Sequence, residues 1–375
     1  MQRVFVAGAG MTRIGRRSEP LPALMAEAAR AALADAGLEE PEAIVVATMN
    51  PEEFVGDGNF ASNVATHMGF SDVPALRIET ATSSGAAAFY TGFAQIAAGL
   101  RRSVLVVGGE KMTHLATPKV SEIIGRSIDP YERTYGATMP ALAGLVTRAL
   151  MTRQGVTARE ISQVAVKNHA HGARNPFAHF QQAVTIEDVL DSRMVADPLR
   201  LMHCCPISDG AAAVVLSAER GPVRVAGVGH GADTLALRHR LELTSFAATR
   251  AAAREAYAMA GIGPERIDVA EVHDAFAPFE LISLEDLGLI PPGKAGRATL
   301  DGDTALDGRL PVNPSGGLKA RGHPLAATGV AQLVECVWQL RGSAEGRQVA
   351  NATRALAHSI GGLATNNWVT VLERG

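Results

Sequence analysis

The chain is 375 residues long, 47% apolar, and carries a formal charge of -3. That length calls for two core-forming units, and acidic and basic residues mixed along the sequence give no concentrated field for nucleic acid or an anionic membrane. No apolar run reaches the roughly 18 to 20 residues of a bilayer-spanning helix, and no export signal opens the chain, so a cytoplasmic location is expected. The three cysteines, Cys204, Cys205 and Cys336, are too few for a disulfide framework, and their spacing suits no metal site.

In chain order, residues 4–10 (V-F-V-A-G-A-G) predict a strand ending in a glycine turn. The alanine-rich stretch 26–37 predicts an amphipathic helix closed by Gly37, and the apolar residues 44–48 predict a second strand. A third element opens at the turn Ser83-Ser84-Gly85 as a helix and leads to the continuous apolar run 103–109, a strand covered on both faces. Residues 111–200 form a polar, helical insertion, and insertions of this length are usually functional. The pattern then restarts. V-R-V-A-G-V-G at 223–229 repeats the opening strand, 249–261 repeats the helix with its closing glycine, and a strand follows at 267–272. Gly322-His323-Pro324 matches the helix-opening turn of the first half. A repeated strand-helix-strand-helix-strand unit of this kind defines the architecture before any local detail does.

Five segments carry a resemblance to a known family. They are V-K-N-H-A-H-G-A-R-N-P-F-A-H-F at 166–180, A-D-P-L-R-L-M-H-C-C-P-I-S-D-G-A-A-A at 196–213 and E-V-H-D-A-F at 271–276, followed by N-P-S-G-G-L-K-A-R-G-H-P-L-A-A-T-G at 313–329 and H-S-I-G-G at 358–362. In this order they resemble the thiolase superfamily, and within it the branch typified by the thiolase half of sterol carrier protein X. The resemblance implies an α/β thiolase fold: two similar βαβαβαββ halves in a five-layered αβαβα arrangement. The N-terminal half would span 1–220, including a loop domain at about 111–200, and the C-terminal half 221–375. It further implies an acyl-CoA thioester as substrate with no separate cofactor, and a homodimer.

The chain departs from the family where the family does its covalent chemistry. Thr82 stands where the nucleophilic cysteine opens the first-half central helix. Ser359 replaces the cysteine of the C-terminal turn, and Ala275 replaces the acid/base cysteine of the branch's H-D-C-F motif. A threonine hydroxyl is a far weaker acid than a thiol and needs a general base at the moment of attack. Hydroxyl residues at a helix start also serve as caps, which is the plain alternative for Thr82 and Ser83. Cys204 and Cys205 fall in what reads as an ordinary buried strand, and Cys336 in mid-helix, so all three are expected to be structural.

The family's oxyanion machinery is intact. Its two histidines carry over to His273 and His323, where they would stabilise a thioester enolate. His358 and Ser359 lie beside the lost acid/base position. By the same resemblance Asn313, Ser315 and Gly316 form the turn that presents His323, Gly361 and Gly362 shape the C-terminal turn, and His169 and Phe177 line the acyl or pantetheine channel, with packing of the loop as the plain alternative for the last two. The leading expectation is retro-aldol cleavage of a β-hydroxyacyl-CoA without an acyl-enzyme, as in thiolase-like proteins of steroid side-chain catabolism that work with a small partner of oligonucleotide-binding fold. Two alternatives stand beside it: an acyltransferase using Thr82 or Ser83, and a non-catalytic acyl-CoA-binding subunit.

Overall fold

A computed structural model describes residues 2–375. Its strands are β1 (Phe5–Met11), β2 (Ile44–Ala47), β3 (Ala75–Ile78), β4 (Ser103–Glu110), β5 (Met194–Ala196), β6 (Leu199–Arg200), β7 (Gly210–Ser217), β8 (Val223–Ala232), β9 (Val269–Glu271), β10 (Arg354–Gly361) and β11 (Asn366–Arg374). Nine of them form one sheet in the order β3-β2-β4-β7-β1-β8-β11-β10-β9, while β5 and β6 make a separate ribbon.

The repeat read from the sequence is visible in this order. The run β2-β4-β7-β1 and the run β9-β10-β11-β8 have the same connectivity and the same directions: parallel in the first pair, antiparallel in the next two. The outer parallel strand β3 has only a vestige in the second half, a single bridge between Val312 and Ala270. The resemblance implied two layers of sheet, and they are joined at one edge. Phe5 pairs with Arg224 and Val6 with Val223, so β1 and β8 make the sheet continuous as it folds over the central helices.

The layers follow from burial on both faces of the middle strands. β4 and β7 are apolar and buried almost throughout, as a strand covered on two sides must be. The helix Leu21–Ala36 covers the outer face of the first half, and Ala247–Ala260 covers that of the second. Each ends at a left-handed glycine, Gly37 (φ 62°) and Gly261 (φ 69°). Between the sheet halves run the helices Ser84–Ala97 and Ala327–Arg341. The second of these starts three residues beyond its expected turn, because His323 is held in an extended bridge with Ile207 and a turn at Leu325 and Ala326 follows it. The insertion is helical as expected, with helices Thr117–Gly125, Met139–Gln154 and Ala158–Gly172. Among the described residues no helix is long and apolar enough to cross a membrane.

The two central helices meet at their first turns with no room for a side chain. A Cβ on Gly85 would lie 2.3 Å from the Ala326 carbonyl oxygen and 3.0 Å from the Val330 nitrogen, and one on Gly329 would lie 2.6 Å from the Ala86 nitrogen. This contact sets how the start of one helix faces the start of the other. Gly85→Ala should therefore destabilise the protein by about 1 to 3 kcal/mol through overpacking, read as a lowered urea midpoint with an unchanged slope. An unchanged midpoint would mean that the helices do not cross this closely.

Candidate active site

At these helix starts, and beside the end of β9, lies a cavity of about 550 Å³. Its floor includes Thr82, His273, Ala275, His323, Ile360 and Gly362. The insertion closes it with Met112, Leu115, Val120, Ile124 and Met139. The lining is mostly apolar, and charges or dipoles inside such a space act more strongly than in water.

His273 follows β9 and His323 precedes the second central helix. Their rings lie at 90° with centroids 5.1 Å apart, and they are 2% and 5% exposed. Neither Nε2 hydrogen-bonds within the protein, and both residues line the cavity. His323 Nδ1 lies 2.7 Å from Thr328 Oγ1. The buried Thr328 hydroxyl has no other acceptor, so it donates to Nδ1, and the ring proton then sits on Nε2, facing the cavity. His273 Nδ1 is buried without a protein partner. Burial, and then the Arg321 charge, lowers His323 to about 3. Burial first, and then His323 and His358, hold His273 well below the ordinary imidazole range. Both rings are neutral at neutral pH, and His323 presents its Nε2–H to the cavity.

The segments bearing these histidines are tied together by buried charge. Glu271 accepts from the Ser315 nitrogen (3.0 Å) and hydroxyl (2.7 Å), and Arg321 Nη1 lies 3.3 Å from its Oε2. Asp274 accepts from the Leu318 and Lys319 nitrogens (2.6 and 3.1 Å), capping the Gly317–Ala320 helix. Asn168 Nδ2 donates to both Asp274 and Glu280, and the Lys167 ammonium sits 2.9 Å from Glu280 Oε1 as an ion pair. Asn313, in the left-handed region at φ 54°, donates from Nδ2 to Glu280 and accepts from the Val272 nitrogen at 2.8 Å. Asn313 and Ser315 thus anchor the turn that leads toward His323, and Gly316 bends it at φ 97°.

At the nucleophile position the geometry is unfavourable for attack. Thr82 lines the cavity, but its hydroxyl donates to the Ile360 carbonyl oxygen at 2.6 Å, an acceptor that cannot take the proton away. Ser83 donates to the Thr80 carbonyl (2.8 Å) and does not line the cavity. Neither side chain caps the helix, so the capping alternative is corrected; Ser84 instead accepts from the Thr80 nitrogen and donates to the Ala81 carbonyl. Ala81 at φ 54° makes the sharp turn that points Thr82 inward.

Other expected site residues form the frame. His358 is fully buried on β10, outside the cavity lining; Asn367 donates to Thr249 (2.7 Å) and Thr249 to His358 Nε2 (3.0 Å). Ser359 is buried with its hydroxyl unpartnered. Gly361 lets the turn approach Ser83, where a Cβ would come within 2.5 Å of its hydroxyl, and only Gly362 reaches the cavity. His169 stacks on Phe180 and bonds to the Gln182 carbonyl, while Phe177 packs on Trp338. Neither lines the cavity, because their side chains turn back toward the body of the protein. The cysteine expectation also needs correcting. Cys204 and Cys205 lie after a single helical turn, Leu201–His203, and both line the cavity. Thr328 was likewise missed, although its place five residues after His323 at the start of a helix was a usable signal.

Comparison with known proteins follows this geometry. Residues 4–220 match the family model "Thiolase, N-terminal domain" and residues 229–374 match "Thiolase C-terminal domain-like". The chain is 41% identical over 384 residues to an acetyl-CoA acetyltransferase of Methanothermobacter thermautotrophicus, covering 100% of both chains. It is 33% identical to sterol carrier protein 2 of Oryctolagus cuniculus, covering 96% of this chain and 70% of that one. Among solved structures, the Ltp2-ChsH2(DUF35) aldolase is similar with a TM-score of 0.85 and 25% identity, over 99% of this chain and 98% of that one. The chain belongs to the thiolase superfamily, in its sterol-carrier-type branch, and is an enzyme of that superfamily.

Proposed function

We propose that this protein cleaves a β-hydroxyacyl-CoA by a retro-aldol reaction, releasing an aldehyde or ketone and a shorter acyl-CoA without a covalent acyl-enzyme. One observation carries this reading: two neutral histidines face one apolar cavity whose threonine at the nucleophile position has its proton tied to a carbonyl. In such a cleavage the β-hydroxyl passes its proton to water as the carbon-carbon bond breaks. The bond's electron pair passes to the thioester as an enolate, whose oxygen the two N–H groups stabilise. No nucleophile is needed, so the replaced cysteines cost the reaction nothing.

The relatives support the substrate class and the reaction type. The acetyltransferase points to acyl-CoA, and the structural neighbour is itself an aldolase. That neighbour, the Ltp2-ChsH2(DUF35) aldolase, is a pairing of two proteins, which supports a small partner subunit here. A homodimer and a cytoplasmic location belong to the same reading. Acyl transfer through Thr82 is the second reading, and the hydrogen bond to Ile360 weighs against it. A non-catalytic subunit would have no use for two aligned donors.

Intact-mass measurement after incubation with acetyl-CoA or acetoacetyl-CoA should show no acyl adduct. An added acetyl group on Thr82 or Ser83 would replace the lyase by the transferase. His273→Ala and His323→Ala should each lower turnover by about 100-fold or more with CoA affinity retained, and the double variant should be less than additive. Full activity in His273→Ala would remove it from the site. Because the folded value of His323 is depressed to about 3, its ring should stay neutral from pH 8 down to 5, with nitrogen chemical shifts of an Nε2–H tautomer. Thr328→Val should shift the proton toward Nδ1 and lower kcat by about 10-fold, with Thr328→Ser restoring both. A shift transition near pH 6.5 would contradict the buried, neutral donor.

A further inference from the structure

An enolate held by two donors still needs a group that delivers a proton to its α-carbon, and the cavity offers few. Among the described residues that line it there is no aspartate, glutamate, lysine or tyrosine. Arg16 and Arg193 lie exposed at its edge rather than within it. His273 and His323 are occupied as oxyanion donors in the function proposed above. His179 Nδ1 is engaged with Ser208 Oγ at 2.9 Å. The two cysteines remain, and they differ. Cys204 Sγ donates to the Arg200 carbonyl at 3.5 Å, whereas Cys205 Sγ donates to no acceptor among the described residues.

The position of Cys205 is fixed from both sides. Cys204 bridges Phe276 antiparallel and the Cys205 nitrogen donates to the Ala275 carbonyl at 2.9 Å, so Cys205 and Ala275 face each other across the pair. Two residues later Ile207 bridges His323 in parallel. The segment 204–207 thus runs from beside the His273 loop to the His323 loop, with Cys205 between them. Among the described residues the buried Lys319 ammonium, 3% exposed, is in no ion pair with a carboxylate, and it supplies positive potential at this thiol. Burial, Cys204 and Asp274 act in the opposite sense and keep the thiol protonated at neutral pH.

We propose that Cys205 is the catalytic group that gives a proton to, and takes one from, the α-carbon of the thioester enolate in this cavity. This rests on the enolate reading of the site. In the cleavage direction the S–H proton passes to the α-carbon and leaves a thiolate in the field of the Lys319 ammonium. The thiolate regains a proton from water in the cavity, matching the proton released by the β-hydroxyl. In the exchange direction the thiolate removes an α-proton, the C–H electron pair enters the enolate, and the re-formed thiol returns a proton or deuteron. No oxidation or reduction occurs.

The test is deuterium uptake into the methyl group of acetyl-CoA in heavy water, followed by mass spectrometry. The native protein should exchange, faster as pH rises because the thiolate is the base. Cys205→Ser and Cys205→Ala should slow exchange by about 100-fold or more. Moving the thiol across the pair, in the double variant Cys205→Ala with Ala275→Cys, should recover measurable exchange, a rescue that mere packing could not give. Native exchange rates in Cys205→Ser would overturn the proposal, as would a relocated thiol that restores nothing in a variant with the native melting temperature. If His323→Ala abolishes exchange while Cys205→Ser preserves it, the enolate reading survives and Cys205 alone is rejected. No exchange by the native protein would overturn both.

Discussion

The arrangement of the site depends on one buried cluster of charge. Glu271, Asp274 and Glu280 are wholly enclosed, and each is met by groups from the 313–321 segment or from the Ala158–Gly172 helix of the insertion. Because Asp274 is the neighbour of His273 and Arg321 lies two residues before His323, the cluster fixes the two rings relative to each other through very short stretches of chain. Burial raises the carboxyls of Glu271 and Asp274, to about 7 and 6, against the hydrogen bonds and cations that favour their charged forms. Such a cluster adds little stability over an apolar core, but loss of one member would strand a buried charge at a cost of about 3 to 5 kcal/mol. Here it serves geometry: it also joins the insertion, through Lys167 and Asn168, to the body that carries the chemistry.

Around that frame the two halves of the repeat have diverged in use. Each contributes the start of a central helix to the same floor, and the glycine contact at Gly85 and Gly329 brings those starts together. The first-half helix presents Thr82 with its hydroxyl committed to a backbone carbonyl. The second-half helix supplies Thr328, whose hydroxyl orients His323 so that the ring's free N–H faces the cavity. Thus one threonine is removed from reaction while the other sets a donor. A neutral imidazole donor in an apolar space stabilises a developing oxyanion without carrying a proton of its own into the reaction, which suits a reaction that forms an enolate and needs no acyl-enzyme.

The fold was largely legible in the sequence because it is repeated. The strands at 4–10 and 223–229, the helices closed by Gly37 and Gly261, and the apolar run at 103–109 obey local rules of periodicity and capping, and they recur in the same order. His273 and His323 were legible for a different reason, since each sits inside a long motif. The motifs could not distinguish residues that face the cavity from those that brace it. His169, Phe177, His358 and Ser359 lie in the same motifs and turn into the protein, because the direction of a side chain at a loop or strand end is set by what packs against it.

Sequence alone determined the repeated α/β plan, the family, the loss of cysteine at positions 82, 275 and 359, and the survival of two histidines. Each of these is a matter of residue identity and local pattern. Tertiary structure decided the rest: that Thr82 gives its proton to Ile360, that Thr328 sets the tautomer of His323, and that Cys205 stands opposite Ala275 in the cavity wall rather than inside a strand. These are contacts between residues 5 to 278 positions apart, and the Cys205–Ala275 pairing is likewise long-range. They exist only once the sheet has folded over the central helices and buried charge has drawn the loops together.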